Sequence, residues 1–183
     1  MKIRSTPLEG VVIVETTKHV DHRGEFFRAY CRRELAEIIG ERQIAQINVS
    51  QTHAVGAVRG MHFQRPPQAE MKLIRCVKGK IWDVAVDLRA GSPTYLQWHA
   101  EELSANTVKM IVIPEGCAHG FQVLEEDSEL LYLHTAFYCP EAEEGLLHND
   151  PRLNIQWPLE ITDMSDRDRQ HPFLFPGFQG ILL

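Results

Sequence analysis

Short segments that alternate or run apolar, each closed by Gly, Pro, Asn or acidic residues, recur along almost the whole chain and leave room for little but sheet. The alternation is plainest in "WDVAVDLR", where Trp82, Val84, Val86 and Leu88 interleave with Asp83, Ala85 and Asp87. That is the period-two pattern of a half-buried strand. "GVVIVET", "IAQINVSQT", "GAVRGMHF", "MKLIRCV", "VKMIVIP", "HGFQVLE" and "SELLYLHTAFY" are further strand candidates, and "VKGKI" reads as a hairpin turn. One stretch has helical period: "CRRELAEIIG" spaces Leu35, Ile38 and Ile39 at i, i+3, i+4, with Gly40 as its stop. Many strands and one such helix predict an all-β sandwich or barrel with a few short helices.

A chain of 183 residues, 44% hydrophobic, suits one domain with a sizeable core. No internal repeat and no linker-like stretch interrupts it before "QHPFLFPGF", so residues 1–183 are expected to form a single domain with a C-terminal extension. The extension should pack, since Phe173, Leu174, Phe175 and Phe178 would otherwise be exposed. A net charge of −6 disfavours nucleic acid as a partner, though a local group of arginines can still hold a phosphorylated small molecule. Cys31, Cys76, Cys117 and Cys139 form no Cys-x-x-Cys pair, which argues against a zinc ribbon and for a reducing, cytoplasmic setting. No apolar run has signal-peptide or membrane-spanning length, so a soluble protein without membrane contact is expected.

Against that background, "RGMHFQ" and "AEMKLIRC" place an imidazole, His62, and an ammonium, Lys72, on stretches that otherwise look like core. The motif Pro114-x-Gly116-x-x-His119 in "IPEGCAHGF" resembles the second half-signature of the cupins, small jelly-roll barrels in which this histidine points inward. Metal-binding cupins normally carry His-x-His and a nearby Glu in the first motif. Here that motif offers only His62-x-Gln64 and then Lys72, and an ammonium beside two imidazoles repels a divalent ion. No metal and no other cofactor is therefore expected, although a neutral lysine or an atypical His/Gln site is chemically possible. Without a metal, Lys72 can itself stabilise an enolate while His62 takes the proton next to a ketone. Inverting the carbon needs a second acid on the opposite face, and Tyr132 in "ELLYLHTAFY" is a candidate. Alternation sets Tyr132 and His134 on one strand face, with Tyr138 at the same parity.

"DHRGEFF", "AVRGMHFQRPPQAEMKLIRCVKGKIWDVAVDLRAGSPT", "ELSANTVKMIVIPEGCAHGF", "LLYLHTAFYCPEAEEGLLHNDP" and "IQWP" resemble, in order, the motifs of the dTDP-4-dehydrorhamnose 3,5-epimerase family. The resemblance implies a homodimeric, cofactor-independent cupin of jelly-roll type acting on a nucleoside-diphosphate 4-keto-6-deoxy sugar, with inversion at C3 and C5. It implies His62 as base, Tyr132 as acid, Lys72 as enolate stabiliser and Asp168 of "MSDRDRQ" as the carboxylate paired with His62. Arg23 and Arg59 match diphosphate and nucleotide contacts. Gln46, Asn48, His119, Tyr138 and Glu143 are the other expected substrate contacts. One departure concerns the nucleotide: the family's "RGxFxE" commonly ends in glutamate, whereas "RGEFFR" puts Arg28 there, a reversed charge suited to another base or phosphate arrangement. The stretch from Asn48 to His62 is also one residue longer than usual.

Each residue has a plainer reading. A lone His on an apolar strand is commonly a satisfied core residue, and Tyr132 can simply bury its ring. Ser165-x-x-Asp168 also reads as a variant helix capping box, which would occupy Asp168 elsewhere. Arg23 and Arg59 are either surface charges or, beside Gly24 and Gly60, suited to close approach of a diphosphate. A single-site epimerase on another nucleotide, a non-catalytic sugar-nucleotide binder and a metal-dependent cupin are the alternatives to the double epimerase.

Overall fold

Alternating side chains on a strand must bury two faces or expose one, and here both faces are buried over much of the fold. The structure, a computed structural model, describes residues Met1–Leu183. Its strands are β1 (Lys2–Ser5), β2 (Val12–Glu15), β3 (His19–Asp21), β4 (Gly24–Phe26), β5 (Gln46–Thr52), β6 (Val58–Gln64) and β7 (Lys72–Lys78). They continue with β8 (Lys80–Asp87), β9 (Trp98–Ser104), β10 (Lys109–Ile113), β11 (Cys117–Val123), β12 (Ser128–His134) and β13 (Glu143–Gly145). Two short helices, α1 (Ala36–Ile39) and α2 (Asp166–Arg169), complete the set. A six-stranded sheet in the order β1-β2-β10-β7-β12-β5 faces a five-stranded sheet in the order β13-β6-β11-β8-β9, and β3-β4 is a separate hairpin. Pairing within all three is antiparallel. This is the all-β cupin jelly roll that the strand pattern and half-signature led us to expect.

Three apolar layers hold the sheets together. Between the sheets, Ile13, Ile74, Ile111 and Leu130 of the larger meet Ile81, Ala85, Phe121 and Val123 of the smaller. The outer face of the larger sheet carries Val14, Leu73, Met110, Val112 and Leu133, and Leu35 and Ile39 close over it. The helical stretch thus buries the apolar edge that its i, i+4 spacing marked, although only one turn of it, Ala36–Ile39, is α-helix. The outer face of the smaller sheet carries Met61, Phe63, Val84 and Val86, covered by Leu146, Leu153, Leu174, Phe178 and Ile181 of the C-terminal segment.

Two sequence expectations need correction. Strand β8 is not half-buried: Val84 and Val86 face the C-terminal cover while Asp83, Ala85 and Asp87 on the other face are equally inaccessible. The polar members of the alternation mark polar partners rather than solvent. "VKGKI" is not a hairpin either, because β7 and β8 lie in different sheets and Gly79 is where the chain passes from one to the other. Its φ is +72°, and a Cβ there would lie 2.4 Å from Ser128 Oγ, so only glycine fits the crossing.

Candidate active site

Where β5, β6, β7, β11 and β12 turn their side chains into the mouth of the sandwich, a cavity of about 240 Å³ opens. Nine of the twelve expected site residues line it: His62, Lys72, Tyr132, Gln46, Asn48, Arg59, His119, Tyr138 and Glu143. Register explains most of this convergence. His62 pairs with His119 across β6 and β11, Lys72 with His134 across β7 and β12, and Tyr132 with Asn48 across β12 and β5. Arg59 and His62 are three apart and would face opposite ways in a regular strand. A β-bulge sets four residues of β6 (Arg59 to His62) against three of β11 (His119 to Phe121) and brings both into the cavity. The Gly60 beside Arg59 leaves space for the neighbouring strand: a Cβ there would lie 2.6 Å from Gly120 Cα.

Asp168 stands behind His62 rather than in the cavity wall. Its Oδ1 lies 2.7 Å from His62 Nε2, and its Oδ2 accepts the Gly60 N–H at 3.2 Å. Burial raises the Asp168 carboxyl, but the His62 bond and charge and the Gly60 N–H outweigh it and hold the group below the ordinary carboxylate value. Accepting Nε2–H fixes the neutral tautomer of His62 with Nδ1 bare. The capping reading and the pairing reading are both satisfied, by different atoms: Ser165 Oγ accepts the backbone N–H of Asp168 at 3.0 Å, which leaves its carboxylate for His62.

Lys72 is 7% exposed, and its Nζ reaches the His62 carbonyl oxygen at 3.1 Å. Glu70, which sequence reasoning passed over, lies 3.4 Å from the same nitrogen. Its other oxygen pairs with His134 Nδ1 at 2.9 Å. The His134 ring stacks on Tyr132 with centroids 5.8 Å apart and an interplanar angle of 12°. On the other side the Tyr132 ring stands edge-on to His119, centroids 6.0 Å apart. Burial pushes the Tyr132 phenol well above its ordinary range, so it stays protonated until a strong base appears. His119 Nε2 meets Asp83 at 2.9 Å, and burial, outweighing that carboxylate, keeps the imidazole below its ordinary value. Three histidines, each tied to one carboxylate, therefore ring the cavity. The signal for the missed partners lay in the alternation, which put Asp83 on the face opposite Val84 and Glu70 two residues before Lys72.

At the rim, the Tyr138 hydroxyl donates to Glu143 at 2.7 Å, and its backbone N–H donates to Gln46 Oε1 at 2.8 Å. Arg167 also bonds to Glu143 and, with that hydrogen bond, holds its carboxyl below the ordinary value against the opposing push of burial. Gln64 does not join His62 in a ligand pair: its amide donates to the carbonyls of Gln68 and Phe137 and accepts the Cys139 N–H. The two remaining expected residues lie outside the cavity of this chain. Arg23, on the β3–β4 hairpin, bonds to Asp21 at 2.7 Å, and Arg28 pairs with Glu34, which also holds the N-terminal ammonium.

Known proteins share this arrangement of chain. The family model described as dTDP-4-dehydrorhamnose 3,5-epimerase matches residues 5–175. The dTDP-4-dehydrorhamnose 3,5-epimerase of Pseudomonas aeruginosa is 44% identical over 93% of this chain and 94% of its own. A solved dTDP-4-dehydrorhamnose 3,5-epimerase from Bacillus anthracis, with TDP and PPi bound, superposes with a TM-score of 0.91 at 36% identity, covering 94% of this chain and 99% of that one. A dTDP-4-dehydrorhamnose 3-epimerase of Streptomyces niveus is 37% identical over 92% of this chain and 82% of its own.

Proposed function

The chain belongs to the dTDP-4-dehydrorhamnose 3,5-epimerase family, and from that premise we propose that it inverts C3 and C5 of a nucleoside-diphosphate 4-keto-6-deoxy sugar. dTDP-4-dehydro-6-deoxy-D-glucose is the favoured substrate, in keeping with the relatives' names and the TDP held by the Bacillus anthracis structure. The observation that carries the reading is one cavity holding an imidazole backed by a buried carboxylate, a buried ammonium and a half-buried phenol.

His62 Nδ1 takes the proton from the carbon next to the C4 ketone. The C–H pair moves into the ring and the carbonyl π pair onto oxygen, giving an enolate. Lys72 faces that oxygen, and its charge is worth most in a site shielded from water. Tyr132 returns a proton from the opposite face, which inverts the carbon. Asp168 stabilises the imidazolium formed in the first step. Lys72 is not a lone cation, because Glu70 shares its charge. Its second contact, to the His62 carbonyl, is the one that ties the ammonium to the base and sets it beside the reacting carbons. No step needs a cofactor.

The residues outside the cavity suit a homodimer. Val20 and Phe26 on the β3–β4 hairpin are 69% and 73% exposed, and Ile47 and Val49 on β5, an edge strand, are 60% and 64% exposed. A second copy would cover these side chains and give Arg23 and Arg28 a place at the nucleotide end of a cavity. Light scattering on the purified chain tests this, with a monomer at all concentrations as the opposing result.

The chemistry is tested by NMR in deuterated water with dTDP-4-dehydro-6-deoxy-D-glucose. Deuterium entering C3 and C5 supports the double epimerase; entry at C3 alone moves the assignment to the single-site chemistry named for the Streptomyces niveus relative. Absence of exchange together with absence of binding would sink the epimerase reading.

A further inference from the structure

Behind the base, three donor atoms converge of which the epimerase reading uses two. His62 Nε2 and His171 Nε2 lie 2.7 Å and 3.6 Å from the same oxygen, Asp168 Oδ1, and all three atoms fall within 4.8 Å of one another. The two imidazoles meet edge to face, with centroids 5.5 Å apart and planes at 76°. The fold seats His171 firmly, since a Cβ on Gly145 would lie 2.3 Å from its Nε2. Yet that Nε2 is buried and makes no hydrogen bond. An orphaned buried polar atom is costly, and this one is aimed at a carboxylate already engaged by His62 and Gly60.

We propose that His62, Asp168 and His171 form a binding site for one divalent transition-metal ion of the zinc class, and that the ion turns the enzyme off. Two imidazoles and a carboxylate are a common zinc donor set, in which a water completes the tetrahedron. Metal–ligand bonds of about 2.0–2.1 Å in a tetrahedron set neighbouring donors roughly 3.3 Å apart. The His171–Asp168 separation already approaches that spacing. The His62–Asp168 separation must widen by a few tenths of an ångström, which the part-exposed His62 ring can supply. Two cations lie near: Arg167, whose charge Glu143 engages, and Lys72, held on the His62 carbonyl with Glu70 beside it.

Inhibition follows from atom assignment. In the metal-free site Asp168 takes Nε2–H and leaves Nδ1 bare to accept a proton. An ion on Nε2 forces the neutral ring to carry its hydrogen on Nδ1, the atom that must be empty. This consequence rests on His62 being the base; the binding itself does not.

The test uses the full chain, stripped with chelator, and reads binding apart from activity. Co²⁺ is titrated for the visible absorption of a tetrahedral complex and Zn²⁺ by calorimetry, on the wild type, His171→Asn and His171→Gln, with circular dichroism to confirm folding. We expect one Zn²⁺ per chain and a tetrahedral Co²⁺ spectrum in the wild type. Both variants should bind at least about 10–100-fold more weakly, since even losing a group that only orients a ligand costs that much. Zn²⁺ should abolish wild-type deuterium exchange, chelator should restore it, and the ratio of activity with and without Zn²⁺ should rise in both variants. No binding by the wild type, or binding unchanged in the variants, overturns the site; binding with full exchange retained overturns the inhibition. Binding by a chain that shows no exchange even when metal-free would uphold the site while removing the epimerase reading.

Discussion

Asp168 shows how much one carboxylate can determine. It is 3% exposed, its oxygens are shared between an imidazole and a backbone N–H, and its charge is what gives His62 a defined tautomer for the role proposed for it. Asp168→Asn keeps the shape but offers Nε2 only a neutral partner. kcat should fall by roughly 10²–10⁴-fold, the range found when a catalytic histidine loses its base-catalytic role or its orienting carboxylate. KM should change little, and steady-state kinetics would separate the two. Lys72 gives a sharper test because it has a buried carboxylate beside it. Lys72→Met removes the cation and leaves Glu70 with His134 alone, so both activity and stability should drop, the latter by about 1–3 kcal/mol for a buried group short of a partner. Adding Glu70→Gln should return most of the stability and none of the turnover. If urea midpoints of the single and double variants coincide, the Glu70–Lys72 pair is not the reason for the loss.

At the scale of elements, the smaller sheet depends on an apolar cover over the face turned away from the larger sheet. The C-terminal segment seals the outer face of the smaller sheet, and Phe178 stacks on Tyr95, centroids 6.2 Å apart, while its carbonyl accepts the Tyr95 hydroxyl at 2.7 Å. Phe178→Ala should cost about 3–5 kcal/mol, the usual penalty for emptying a buried aromatic site, read as a lowered denaturation midpoint. The same segment shows what was legible in the sequence. Its run of Phe and Leu demanded burial, and Leu174 and Phe178 are indeed buried, though Phe173 and Phe175 remain half-exposed at 50% and 59%. Strand positions were legible because alternation is local. What β8 packs against was not, because both its faces are buried by segments distant in the chain. Nor could parity place Arg59 and His62 together, since a bulge is defined by the partner strand's register. His171 escaped notice because its meaning depends on Gly145 and Asp168 converging on it.

Across the whole molecule, burial acts on the histidines in one direction, and that sets the pH range in which the fold is strongest. His99, His119, His148 and His171 are all held below the ordinary imidazole value of 6.5, in each case first by desolvation. Well above pH 6.5 these rings are neutral folded or unfolded and add no pH dependence to stability. As pH falls below 6.5 the unfolded chain takes up protons that the folded chain refuses, so stability declines through the window down to the depressed folded values. The carboxylates of Asp87, Glu101, Glu143 and Asp168, lowered by their partners against burial, act in the same sense but only at more acid pH, from about 4 down. On the alkaline side burial raises Cys76 to about 11 and Cys117 to about 12, so above pH 9 the unfolded thiols ionise first and stability falls again. Urea midpoints should therefore form a plateau between about pH 7 and 8.5 and drop by pH 5.5, before the carboxylates begin to titrate. A midpoint flat from pH 7.5 to 5 would mean that the buried histidines charge freely in the folded chain, which the orphaned nitrogens of His99, His148 and His171 make physically costly.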